Sequence, residues 1–210
     1  VQLVTALEDR GDFTVELYSR VGLTDSRHAH NPWLQELPDP VTKVMWDNWV
    51  SLSPATAGKL GISDGDVVRI SVGNGAGVIE LPALIQPGQH DRVLAIPLGY
   101  GVRGTDRFAK IGPQWLESRP TVMPGETIGK NAAPLIEARN GTWQYQRSDA
   151  TLARTGNRHP LATTQEYHRL EVPLHIAPPG AERREPIQET TLGEFARDPA
   201  AGAPTVHHDA

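Results

Sequence analysis

The sequence predicts a mainly β fold, a barrel or a sandwich, and three observations carry that expectation. Short apolar stretches recur at regular spacing with glycine-containing turns between them. Within those stretches apolar and polar residues alternate, the period of a half-buried strand. The chain holds 20 glycines and 18 prolines among 210 residues, close to one residue in five against a usual share of about 12%, which favours turns over long helices.

Taken in order, residues 1–10 form a short apolar lead. In "DFTVELYSR" that follows, Phe13, Val15 and Leu17 fall on one face and Thr14, Glu16 and Tyr18 on the other, which reads as a strand. The stretch "HAHNPWLQELPDP" (28–40) is expected to be a stiff strap, because Pro32, Pro38 and Pro40 stop a helix from running through it. "VTKVMWDNWVSLSP" mixes both periodicities, and its β-branched and aromatic residues tilt it toward strand. Ser53 then caps a helix of about two turns, with Pro54 at the first helical position and Gly61 closing it in a left-handed conformation.

Asp64-Gly65 is expected to form a tight turn joining two strands. Beyond it Val68, Ile70 and Val72 share a face, "GNGAG" turns the chain, and Ile79, Leu81, Ala83 and Ile85 share the next face. After the turn "QPGQ", the segment Val93 to Leu98 is apolar on both faces and should be a buried strand. Glycine becomes frequent from 99 to 132 and periodicity fades, as in functional loops. Asn140-Gly141 marks a hairpin. From Asp149 onward the chain is polar and broken by prolines, and residues 149–210 read as an extended tail that orders on a partner. The expected division is a leading strand region at 1–27, a barrel at 28–148 and the tail.

Composition excludes several functions. The net charge of −5, with acids and bases interspersed, leaves no electrostatic footprint for nucleic acid. Cysteine is absent, so no disulfide, thiolate zinc site or cysteine-ligated iron–sulfur cluster belongs to these residues. No apolar run reaches the ~20 residues of a membrane-spanning helix. Beginning at Val1, the chain is expected to be an excised piece of a longer protein. The sequence also lacks the phosphate loop and the His-Glu-x-x-His helix, and it is expected to be inactive alone.

Several stretches carry a family resemblance. "NPWLQELPDPVTKVMWDNWVSLSPATAGKLGISDGDVVRIS", "LIQPGQH", "LGYG" and "GKNAAPL", in that order, resemble the C-terminal dinucleotide-binding domain of the molybdopterin oxidoreductase superfamily. The nearest likeness is to the iron–sulfur, molybdopterin-like subunit of bacterial alternative complex III, which is similar to polysulfide reductase. "LATTQ" and "ETTLGEF" resemble the link leading to a ferredoxin-like domain. The resemblance implies a double-psi β-barrel of the aspartate-decarboxylase-like kind, with short rim helices, and loops near 27–34 and 125–132 that face a pterin dinucleotide.

It further implies His30, Asn31, Trp33, Gly129 and Asn131 as cofactor-binding residues, with no catalytic residue and no metal ligand among them. Molybdopterin guanine dinucleotide and iron–sulfur clusters would belong to the parent chain, the clusters being ligated elsewhere. Partners would be the remainder of that chain and other subunits of a membrane-bound respiratory complex on the periplasmic face of the bacterial inner membrane. The alternative complex III subunit is a family that has lost the molybdenum cofactor, so the expected role is mainly a scaffold in electron transfer. An active cofactor-binding domain and a non-enzymatic barrel adaptor of an ATPase are the alternatives. Lys130 departs from the family, where a small or aliphatic residue is usual.

Each candidate also has a plainer reading. His28 and His30 would point the same way on a strand, but no third ligand has suitable spacing, and imidazoles bonded to carbonyls are favoured over a metal. Trp33, Trp46 and Trp49 are expected in the core or as interface anchors rather than as a stacking platform. Asn131 beside Gly129 reads equally as a turn residue.

Overall fold

A computed structural model describes residues 11–108, 122–164, 190–199 and 201. The apolar lead at 1–10 and most of the tail, including "EYHRLEVPLH", lie outside the described residues. The chain divides into two units, Val1–Glu166 and Tyr167–Ala210.

In the first unit a closed barrel forms from β1 (Phe13–Ser19), β3 (Val50–Leu52), β4 (Asp66–Val72), β5 (Gly77–Ile85), β6 (Val93–Leu98) and β9 (Gln146–Arg158). Around it the strand order is β1-β6-β3-β5-β4-β9. β1 runs parallel to β6, Thr14 opposite Val93, and β3 runs parallel to β5, Val50 opposite Ala83. These two parallel pairings between strands distant in sequence are the crossovers of the double-psi β-barrel, the expected fold. Alternation works as read: Val68, Ile70 and Val72 are buried inside, while Arg69 on the outer face pairs with Glu80 directly opposite on β5, at 2.7 Å.

α2 (Pro54–Leu60) has the expected ends. Ser53 Oγ accepts from Thr56 N at 3.1 Å, and Gly61 takes φ 64 while the next residue, Ile62, donates to Ala57 O at 2.9 Å. A two-stranded hairpin, β7 (Glu137–Arg139) and β8 (Thr142–Gln144), turns at Asn140-Gly141, both at positive φ.

Five expectations are corrected. The strap contains a one-turn helix, α1 (Pro32–Glu36), because Pro32 stands at its first position, where proline starts a helix; Pro38 then holds Leu37 extended and ends it. The 41–54 stretch is not one strand. It splits into β2 (Val44–Met45) and β3, and the corner between them is made at Trp46, whose φ of 63 is incompatible with a continuous ladder. The Asp64-Gly65 turn joins α2 to β4 instead of joining two strands. β1 belongs to the barrel, so 1–27 is not a separate leading region.

The fifth correction is the tail. Residues 149–158 belong to β9, which closes the barrel between β1 and β4. Only Ala150 is fully buried along β9, so no apolar alternation announces the strand; backbone ladders on both sides hold it. Its Asp149 carboxylate accepts from Gly73 N at 2.9 Å and from Arg147 Nη2 at 2.7 Å, fastening it to the β4–β5 turn. Beyond it β10 (Ala162–Thr163), within "LATTQ", pairs with β2.

The described residues of the second unit include a short helix, α3 (Leu192–Arg197), started by a capping box between Thr191 and Glu194. No helix among the described residues is long and apolar enough to cross a membrane.

Candidate functional site

Separate from the barrel core is a second apolar cluster of Leu23, Trp46, Tyr100, Phe108, Val122 and Ile128. It draws one or two residues from each of the strap's entry, the β2–β3 corner, the glycine-rich loop after β6 and the 122–131 loop. It is the platform on which the candidate loops sit.

Directed bonds fix the loops to this platform. Arg20, 1% exposed, donates to Leu37 O, to Val44 O at 3.3 Å and to the Tyr100 hydroxyl, joining the strap to the loop after β6. A charged guanidinium with three acceptors satisfies a burial that would otherwise be prohibitive. Gln35 is the buried residue of α1 within the strap and donates to Ala29 O at 2.9 Å, while its Oε1 is the one fully buried side-chain polar atom without a partner among the described residues. Thr105 Oγ1 accepts from Ile128 N at 2.9 Å, and Gly101 N donates to Ile128 O at 2.9 Å, lacing the two glycine-bearing loops together.

Two glycines are required by close approach. A Cβ on Gly101 would sit 2.2 Å from Asn131 N, and one on Gly129 would sit 2.6 Å from Asn48 Oδ1. Both have positive φ as well, 75 and 61. The 129–131 backbone therefore lies hard against the 99–101 loop on one side and Asn48 on the other. The Asn48 amide donates to Lys130 O and accepts from Lys130 N, each at 2.9 Å.

The candidate residues fall into place as follows. His30 is exposed, its carbonyl accepts from Arg107 Nη2 at 2.8 Å, and its ring approaches Gly104. Asn31 caps α1, with Oδ1 accepting from Trp33 N at 3.0 Å. Asn131 does likewise for the turn that follows it, Oδ1 accepting from Ala133 N at 3.0 Å. In both exposed asparagines the carbonyl oxygen is engaged and the amide N–H groups remain as donors. Gly129 is half-buried at the Asn48 contact.

Trp33 does not join the others: it is 81% exposed, whereas Trp46 and Trp49 are buried in the core, so of the expected core or interface positions only an interface one fits Trp33. His28 is exposed, and no group of three His, Asp or Glu side chains among the described residues could hold a metal ion.

Sequence reasoning missed Arg20, Tyr100 and Asn48, all buried in the platform. Asn48 carried a faint signal, a polar Asp-Asn pair set between two tryptophans in an apolar run. It missed also a cavity of about 170 Å³ beside the platform, whose polar lining includes Asp47, Glu80, Glu126, Lys130 and His159. In it His159 Nε2 lies 2.5 Å from Asp47 Oδ2. The electrostatics of the platform follow from burial: desolvation pushes the Tyr100 phenol well above its ordinary value, against the opposing effect of Arg20. Tyr18 is raised in the same direction by burial and by the nearby Asp39 carboxylate.

Residues 23–116 match the family described as molydopterin dinucleotide binding domain. That match supports the molybdopterin oxidoreductase superfamily. It takes in the strap and the loop after β6, and it stops short of the 122–131 loop, whose place beside them is seen in the close approach of Gly101 to Asn131. Among solved structures, acetylene hydratase from Pelobacter acetylenicus is similar with a TM-score of 0.45 at 18% sequence identity, covering 67% of this chain and 18% of that chain. The chain thus spans less than a fifth of that protein's length. No curated protein matches the sequence.

Proposed function

We propose that this chain is the pterin-dinucleotide-binding barrel of a molybdopterin-type oxidoreductase, its strap and its 129–131 loop meeting the cofactor. The carrying observation is the close approach of Asn131 N to Gly101, which leaves no room for a side chain and presents Asn131 with its amide N–H groups unengaged. Such a donor set fits a ligand rich in acceptors, as a pterin, a guanine edge and a pyrophosphate all are. Asn31, His30, Lys130 and Asn131 are the residues that would hold it. The bound group supplies the redox chemistry; this chain supplies binding and orientation.

The respiratory part of the proposal rests on residue resemblance to the polysulfide-reductase-like group that includes the alternative complex III subunit; a barrel that holds the cofactor departs from that subunit, whose family has lost it. In that setting the barrel works in electron transfer on the periplasmic face, beside membrane subunits and a cluster-bearing domain. Elemental mass spectrometry for molybdenum and tungsten, with fluorescence of the oxidised pterin, tests the cofactor on the full-length protein. Stoichiometric metal with pterin, lowered by Asn131→Ala, is the expected result. Iron without pterin would overturn cofactor binding and leave the barrel as a scaffold. Affinity capture from native membranes tests the respiratory setting, the expected partners being cytochrome-bearing subunits; a hexameric ATPase in their place would overturn it.

A further inference from the structure

We infer that Asn48 is the positioning residue of the ligand-facing loop, its amide holding the Lys130 backbone so that Lys130 and Asn131 are presented in their binding geometry. This rests on the cofactor-binding reading.

Three observations carry it. Asn48 is 0% exposed, and both ends of its amide go to one residue, Nδ2 to Lys130 O and Oδ1 to Lys130 N, each at 2.9 Å. A side-chain amide used in this way replaces the neighbouring strand that an irregular loop lacks. The clamp is itself held: Asn48 N donates to Asp47 Oδ1 at 2.8 Å, and Asp47 Oδ2 lies 2.5 Å from His159 Nε2. On the opposite side, Gly101 packs against Asn131 N so tightly that the backbone cannot move that way.

The consequence is selective. Residues 129–131 are fixed by their own backbone, which leaves the Lys130 side chain and the Asn131 amide N–H groups for the ligand. Preorganisation of this kind removes an ordering penalty from binding, so its loss should appear as faster ligand release from a barrel that is still folded. A residue that merely satisfies a buried polar group would instead weaken the whole unit and leave release from the folded protein unchanged.

The test uses the full-length protein with Asn48→Ala, and with Asn48→Asp as a second variant that keeps the shape and the acceptor for Lys130 N while losing the donor to Lys130 O. Pterin release during dialysis is followed by fluorescence, and amide hydrogen exchange is read at 129–131 and at β4 and β5. Release faster by about tenfold or more, the scale seen when outer partners of a cofactor site are lost, is expected, together with faster exchange at Lys130 and Asn131 and unchanged protection in β4 and β5. Wild-type release rates in both variants would overturn the positioning role while leaving cofactor binding intact. Faster release accompanied by an equal loss of protection in β4 and β5 would overturn it too, in favour of a structural role. A wild-type protein that never holds pterin would overturn this inference and the cofactor reading together.

Discussion

The barrel interior and the loop platform are built by different physics. In the barrel, aliphatic side chains from facing strands fill a closed volume, and the ladders β4–β5 and β1–β6 satisfy the backbone. No single polar contact decides that arrangement, because burial is non-directional and the strands are over-determined by pairing. The platform has as many aromatic residues as aliphatic ones, and its loop backbone is joined by scattered single bonds rather than by strand ladders. Its order depends on side chains acting as surrogate strands and caps: Arg20, Asn48, Thr105, Asn31 and Gln35. The difference separates a scaffold that tolerates substitution from a site whose geometry hangs on a few hydrogen bonds.

The largest expected effect comes from removing the platform's hub. Arg20→Met keeps much of the side-chain volume, leaves Leu37 O without its donor and the Tyr100 hydroxyl without its partner, and leaves Val44 O with Asp39 N alone. Each buried polar group left without its partner costs about 1–3 kcal/mol, and the guanidinium served several at once. Ile70→Ala, in the barrel centre, is expected to cost about 2–5 kcal/mol through the cavity it leaves. The comparison lies in where the loss falls. Hydrogen exchange should show Arg20→Met releasing the strap and the 99–104 amides while β4 stays protected, and Ile70→Ala lowering protection in β4 and the platform alike. Identical exchange patterns in the two variants would abolish the distinction between the regions.

Alkaline pH sharpens the same contrast, because the raised phenols of Tyr18 and Tyr100 belong to the platform side of the barrel. Burial disfavours the charged phenolate, so the folded chain keeps its protons where the unfolded chain has begun to release them. Above the ordinary phenol value of 10.0 the unfolded state therefore binds fewer protons, and stability falls as pH rises. Below that value the contribution is fully present. Thermal midpoints measured from about pH 9 to about pH 11 should drop in the wild type and drop less in Tyr18→Phe. An equal drop in both proteins would show that Tyr18 ionisation is not coupled to folding.

Much of the barrel was legible because its strands obey simple patterns: Val68, Ile70 and Val72 alternate with polar neighbours, and Ser53-Pro54 with Gly61 brackets a helix by local chemistry alone. β9 was illegible for the converse reason. Its residues are mostly exposed, and what makes it a strand is two neighbours that lie far away in the sequence. At the site, the loop positions around His30, Asn31 and Asn131 followed from resemblance, but the buried residues that hold them did not. Arg20 and Asn48 are polar residues in apolar surroundings, and only the folded chain shows that Arg20 serves Leu37 and Val44 or that Asn48 meets Lys130, 82 positions away. Trp33 shows the limit in the other direction: an aromatic residue that reads as core or interface anchor stands exposed, since α1 turns Gln35 inward instead.

The barrel is not wholly free of directed polar contacts, and its rim supplies the mildest test of the contrast. Ser53 Oγ caps α2 through Thr56 N at 3.1 Å and donates to Asp91 Oδ1 at 2.6 Å, while Thr56 Oγ1 donates to Asp91 O at 2.6 Å. This node resembles the Arg20 hub in connectivity but differs in what depends on it. α2 is also fixed by Pro54, by the left-handed Gly61 and by the buried Ala57, so the cap is one restraint among several. Ser53→Ala should accordingly cost about 1 kcal/mol, read as a small shift of the urea midpoint with an unchanged slope, and should leave exchange at 99–104 and 129–131 at wild-type rates. A loss as large as that of Arg20→Met would mean that the barrel, too, depends on single polar nodes, and that closure of the ladder does not protect it.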